Sequence, residues 1–135
     1  MILIDSGPLV ALVDADDQYH LECSKAFRAL PRQRMSTIWP VLTEAMHFVA
    51  DLPEAQDNIW ELIVRGVVEI FPLGTDDVPR IRELMHQYAN RPMDFADAAL
   101  LQVAEREGIR QFFTIDRKDF AVYRLHGKIR PRIIP

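Results

Sequence analysis

Five short runs of β-type residues, each separated from the next by a longer stretch with helical periodicity, constrain this chain more than any other feature. The runs are Ile2–Ile4, Met35–Ile38, Val67–Phe71, Phe112–Ile115 and Arg132–Ile134. Helical patterns cover Pro8–Val13, Tyr19–Leu30, Pro40–Ala50, Glu54–Val64, Asp76–Tyr88 and Asp94–Glu107. Strands that alternate with helices in this way predict a parallel sheet, because a parallel neighbour is reached only through a crossover connection. The expected fold is therefore α/β, with a central parallel sheet of about five strands and helices on both faces. Several boundaries have a local cause. Pro40 suits a first helical turn, Asp76 can cap a helix, and Gly66 and Gly108 follow helical patterns as stop signals. With no internal repeat and no linker-like stretch, residues 1–135 read as one domain.

Charge and cysteine content narrow the function classes. The net charge of −4 argues against a general nucleic-acid binder, but its distribution is uneven. From Arg117 to Pro135 six cations stand against the single acid Asp119. Arg124, Lys128, Arg130 and Arg132 in that segment could track an RNA backbone, or form a solvated basic end. The lone Cys23 permits no internal disulfide, and no Cys/His cluster has the spacing of a zinc site. The opening "MILIDSGPLVAL" has no basic leader and meets Asp5 too early for a signal peptide or a membrane span, so a cytoplasmic protein without membrane association is expected.

The acids carry the chemistry. In open parallel sheets functional groups gather at the carboxyl ends of the strands, near the point where strand order reverses. Asp5 follows the first run and Asp116 the fourth. Glu44 lies one turn into the helix after the second run and is the only charged residue between Arg34 and Asp51. Asp94 and Asp97 open a helix that is otherwise apolar nearly all round, as Ala96, Ala98, Ala99, Leu100, Leu101, Val103 and Ala104 show. Each has a plain alternative. Asp5 and Asp116 can cap turns, Glu44 can be a solvated helix residue, and Asp94 with Asp97 resembles a capping box. Four apolar neighbourhoods interrupted by acids at one rim would nevertheless be a poor way to stabilise a core. Close carboxylates raise one another's pKa unless a cation neutralises them, and an all-oxygen donor set favours Mg²⁺ or Mn²⁺. Such a metal suits phosphodiester hydrolysis.

The segments "MILIDSGPLVAL" (1–12), "TEA" (43–45), "MDFADA" (93–98) and "TIDRKDF" (114–120) together resemble the PIN-domain ribonucleases, most closely the VapC-type toxins of bacterial toxin–antitoxin pairs. The resemblance spans essentially the whole chain. It implies a PIN-like single domain and a Mg²⁺-dependent endoribonuclease whose partners are RNA, a cognate antitoxin and a second copy in a homodimer. It implies catalytic roles for Asp5, Glu44, Asp97 and Asp116, with Asp5 and Asp97 as direct metal ligands and Glu44 binding metal or positioning water. Ser6 and Thr114 match hydroxyl positions that support such a site. Asp94 is an additional acid beside Asp97, here expected in support. Asp119 is expected to cap the turn after the fourth strand, or to reach the site from behind it.

Other classes fit less well. A dehalogenase-like phosphatase needs a second Asp two residues after the first, where this chain has Gly7. A phosphorylation-receiver domain needs an acceptor Asp after the third strand, where the chain reads Pro-Leu-Gly-Thr. A PIN-fold module that binds RNA or protein without cutting is the non-enzyme alternative. The histidines His20, His47, His86 and His126 have no ligand spacing, and Trp39 and Trp60 read as core or interface anchors.

Overall fold

A computed structural model describes residues 1–91 and 93–135. The strands are β1 (Ile2–Ile4), β2 (Met35–Thr37), β3 (Val68–Ile70), β4 (Gln111–Phe113) and β5 (Arg132–Ile134). The helices are α1 (Ser6–Val13), α2 (His20–Ala29), α3 (Trp39–Phe48), α4 (Pro53–Val64), α5 (Val78–Gln87), α6 (Phe95–Glu107) and α7 (Arg117–Phe120), with a 3₁₀ turn at Thr75–Asp77. All five strands are parallel, in the order β3-β2-β1-β4-β5. The α/β fold with a five-stranded parallel sheet is as the sequence predicts.

The order places the reversal between β1 and β4. The chain first walks from β1 through β2 to β3, then crosses back to build β4 and β5 on the other side of β1. Right-handed crossovers then put α1–α4 on one face and α5–α6 on the other. Contacts agree: α1 packs on α2, α3 and α4, α5 packs on α6, and the two groups meet where α3 touches α6. As the central strand, β1 is covered on both faces, and Ile2, Leu3 and Ile4 are fully buried. In α6, Ala98, Ala99, Leu100, Leu101 and Val103 are likewise fully buried, which accounts for its all-round apolar sequence.

Differences from the expected boundaries have physical reasons. The helix expected from Pro8 begins at Ser6, because Asp5 in extended backbone caps it through its side chain. The strand expected at 112–115 spans 111–113. Thr114 still donates its N–H to the Ile134 carbonyl, but its hydroxyl then accepts from the Asp116 N–H and turns the chain out of the sheet. Asp76 caps no helix; Asp77 instead takes the Gly74 N–H on its side chain. Gly66 and Gly108 do end their helices with positive φ, at 75° and 69°. Among the described residues no helix is long and apolar enough to cross a membrane.

Candidate active site

Asp5 and Thr114 leave adjacent strands at the switch point. Ladder bonding continues past both strand ends, since the Asp5 N–H donates to the Phe113 carbonyl at 2.9 Å. The Asp5 carboxylate is held at both oxygens. Oδ1 accepts from the Ser6 N–H at 2.8 Å and Oδ2 from the Thr114 hydroxyl at 3.0 Å. Because the same Thr114 oxygen accepts from the Asp116 N–H at 3.1 Å, one hydroxyl ties together the chain segments bearing two acids.

Glu44 reaches this group from α3, where its Oε1 accepts from the Ser6 hydroxyl. Asp94 and Asp97 arrive from the start of α6. Asp94 is the N-cap, its Oδ1 accepting from the Asp97 N–H at 2.9 Å, as half of a capping box requires. The Asp97 side chain has another partner: Oδ2 accepts from the buried Tyr123 hydroxyl at 3.2 Å. Asp119, within α7, lies 3.9 Å from Arg91 and repels Asp116.

The electrostatics follow from burial without neutralisation. Asp5 and Asp97 are each only 7% exposed. Burial, resisted by the Ser6 and Thr114 hydrogen bonds and aided by the charges of Glu44 and Asp116, raises the Asp5 carboxyl to about 6. Burial, together with the charges of Asp5, Asp94 and Asp116, raises Asp97 to about 8. Partial burial also pushes Glu44 up, against the Ser6 hydrogen bond and with the Asp94 charge. Asp116 rises through burial and then through the neighbouring Asp119.

A third buried aspartate in the same fold is treated in the opposite way. Asp77 receives Arg106 Nη1 on both oxygens at 2.9 Å and the Gln102 amide at 2.9 Å. Burial alone would raise its pKa, but the hydrogen bonds from Gln102, Gly74 and Arg106, with the Arg106 charge, bring it below the ordinary carboxylate value. The chain supplies a guanidinium where an acid is structural. At Asp5 and Asp97 it supplies hydroxyls and an amide, which orient a carboxylate but leave its charge in place.

That donor set fits a hard divalent cation: buried carboxylate oxygens, no thiol or imidazole, and a shortfall of positive charge. Among the described residues no three His, Cys, Asp or Glu side chains are grouped closely enough to hold a metal ion by themselves.

Beside the acids, Trp39, Pro40, His47, Leu73 and Phe95 line a groove of about 680 Å³ that shares Glu44 and Asp94 with the site. Trp39 is therefore no core anchor; it and Phe95 are about half exposed. The four C-terminal cations are dispersed. Arg124 directs its guanidinium at the Ala121 and Tyr123 carbonyls, and Lys128 and Arg130 are exposed. Arg132 opens β5 opposite Gln111, at the amino ends of the strands and away from the acids. Tyr123 has no counterpart among the residues expected from sequence, and nothing in "AVYRLHG" marks it.

Gly7 lets the first turn of α1 pack against Ile115, the residue before Asp116. A Cβ there would lie 2.6 Å from Cγ1 and 2.8 Å from Cδ1 of Ile115, so even alanine must displace that side chain. Overpacking costs roughly 1–3 kcal/mol, which exceeds the gain of at most about 1 kcal/mol from replacing a helical glycine. Gly7→Ala is expected to lower the melting temperature by a few degrees and to shift Asp116; a more stable variant in thermal melts would contradict this fit.

Comparison with known proteins gives the family and the fold. The PIN domain family model matches residues 2–125. Ribonuclease VapC26 of Mycobacterium tuberculosis (strain ATCC 25618 / H37Rv) is 24% identical over 136 residues, covering 99% of this chain and all of that protein. The crystal structure of Mycobacterium tuberculosis VapC20, described as a Sarcin-Ricin loop cleaving toxin, superposes with a TM-score of 0.82 at 20% identity and full coverage of both chains. A toxin–antitoxin complex from Klebsiella pneumoniae aligns with a TM-score of 0.69 at 22% identity, over 99% of this chain and all of that one. With the switch-point acids in place and the family model spanning nearly its whole length, the chain belongs to the PIN-domain family.

Proposed function

We propose that this protein is a Mg²⁺-dependent (or Mn²⁺-dependent) endoribonuclease and the toxin of a VapBC-like toxin–antitoxin pair. One observation carries the reading: two buried aspartates at the switch point lack the cation that the same fold gives to Asp77. The relatives described as a ribonuclease, a toxin and a toxin–antitoxin complex support the biological role.

In this reading Asp5 and Asp97 hold the metal, with Glu44 and Asp116 reaching it directly or through water. A divalent cation held there would supply polarisation of a phosphoryl oxygen and a more acidic bound water. The chain's own groups do the positioning. Ser6 fixes Glu44 by donating to Oε1, which sets the orientation of the carboxylate that would position a water. Thr114 locks Asp5 and, through the Asp116 N–H, sets where the loop after β4 presents its carboxylate. Asp94 keeps the first turn of α6 in register so that Asp97 faces inward. Arg124, Lys128, Arg130 and Arg132 would supply phosphate contacts outside the site, Arg132 from the amino end of β5 beside Gln111. The groove walled by Trp39 and Phe95, apolar with Glu44 and Asp94 at its rim, suits an antitoxin segment that carries apolar side chains and a cation. The working unit is a cytoplasmic homodimer.

RNA incubated with purified protein tests the chemistry. Cleavage is expected with Mg²⁺, none with EDTA, and a fall of about a hundredfold or more for Asp5→Asn. Cleavage that survives both treatments would sink the mechanism. Metal binding in a Mn²⁺ titration with no cleavage of any RNA would point instead to a non-cleaving PIN-fold module.

A further inference from the structure

We infer that Tyr123 is the positioning residue for Asp97, and that its hydroxyl sets the carboxylate for metal binding. The inference rests on the metal-site reading above. Tyr123 is fully buried, yet its one polar atom points at Asp97 Oδ2, 26 residues away in sequence. An aromatic stack leaves that hydroxyl little freedom. The Tyr123 ring meets Tyr88 edge-on at 5.0 Å and Phe120 edge-on at 5.1 Å, and Phe120 in turn lies 5.3 Å from Phe112 in β4. In the same stack the Tyr88 hydroxyl has a separate partner, accepting from the Arg124 N–H at 3.0 Å. The sheet, α7 and the end of α5 therefore all bear on where the Tyr123 oxygen sits.

The two buried acids are treated alike. Asp5 takes a hydroxyl from Thr114 on Oδ2, and Asp97 takes one from Tyr123 on Oδ2. In both cases the donor comes from the C-terminal third of the chain and carries no charge. A neutral donor fixes the plane of a carboxylate without cancelling the charge that a cation needs, and it leaves lone pairs open for coordination. An arginine in place of Tyr123 would make Asp97 a second Asp77, neutralised and closed.

Tyr123→Phe keeps the ring and its stacking but deletes the donor. Calorimetric titration with Mn²⁺ reads the effect without RNA. Hydrogen-bond partners of metal ligands typically contribute 10–100-fold in affinity, so the Kd is expected to rise about tenfold or more. In cleavage assays kcat at fixed Mg²⁺ should fall while KM for RNA stays constant. Tyr88→Phe is the control, since it removes a hydroxyl from the same stack without touching Asp97, and it should leave the Mn²⁺ Kd unchanged. A Tyr123→Phe protein that binds Mn²⁺ as tightly as the parent overturns the assignment and leaves the metal site standing. Equal losses in both variants also overturn it, by showing a packing effect. Absence of Mn²⁺ binding by the parent overturns the metal-site reading and this assignment together.

Discussion

Asp97→Asn is expected to abolish RNA cleavage while raising the melting temperature of the metal-free protein at pH 8. The two effects have one cause. Asp97 is buried beside Asp5 and Asp94, and its carboxyl is raised to about 8. Its folded pKa thus lies above its unfolded value near 3.8, and the folded state holds the proton more tightly. The stability this confers is complete below the unfolded pKa and is lost as the pH climbs through the folded one. The metal-free protein should therefore weaken steadily between about pH 4 and pH 8, with Asp5, raised to about 6, contributing over the lower half of that window. Asparagine has nothing to titrate and can still accept from Tyr123. The gain at pH 8 should be a few kcal/mol, or roughly 5–10 °C in a domain of this size.

Metal reverses the comparison. Mg²⁺ binds the folded parent and stabilises it by mass action, whereas the asparagine variant has lost a ligand and gains little. Melts of both proteins at pH 5 and pH 8, with EDTA and with Mg²⁺, contain the whole test. If the variant melts below the parent at pH 8 in EDTA, Asp97 is an ordinary capping-box acid and the tension between stability and function assigned to it does not exist.

The positions of the acids were legible in sequence because one topological rule fixes where strands end. Asp5 and Asp116 follow β-type runs, and Glu44, Asp94 and Asp97 interrupt apolar helices; each lies where the carboxyl ends of a parallel sheet would bring it. What joins them was less legible. Asp97 has Tyr123 as its partner only because α7 and an aromatic stack carry a loop residue back across 26 positions. That four-residue helix reads in sequence as a turn, since "RKDF" shows no period. Asp76 and Asp77 are chemically identical neighbours, and only the tertiary placement of Arg106 and Gln102 selects Asp77 for burial. The C-terminal cations look like one patch along the chain. Strand β5 divides them, sending Arg132 to the edge of the sheet away from the site.

Arg106→Leu should produce the opposite signature from Asp97→Asn, a loss of stability. Arg106 binds both oxygens of Asp77 and, through Nη2, the Pro72 carbonyl at 2.8 Å. Leucine leaves a carboxylate with 7% side-chain exposure and no cation. Breaking a buried pair costs about 3–5 kcal/mol, and the partial exposure of the Arg106 side chain places this one nearer 2–4 kcal/mol, or roughly 10 °C. The pH dependence then separates the two kinds of acid. The Asp77 pKa is lowered on folding, so its contribution is present above the unfolded value and is lost as pH falls through the folded one. The deficit of Arg106→Leu should be widest at neutral pH and close toward pH 3, whereas the gain of Asp97→Asn opens toward alkaline pH. Asp77→Asn combined with Arg106→Leu should recover part of the loss, because no buried charge remains. Below its melting point the Arg106→Leu protein should bind Mn²⁺ as the parent does. A loss under about 1 kcal/mol would remove Asp77 as the structural counterpart of Asp97. Loss of Mn²⁺ binding by the folded variant would show instead that the two clusters act as one, joined through α6, which carries both Asp97 and Arg106.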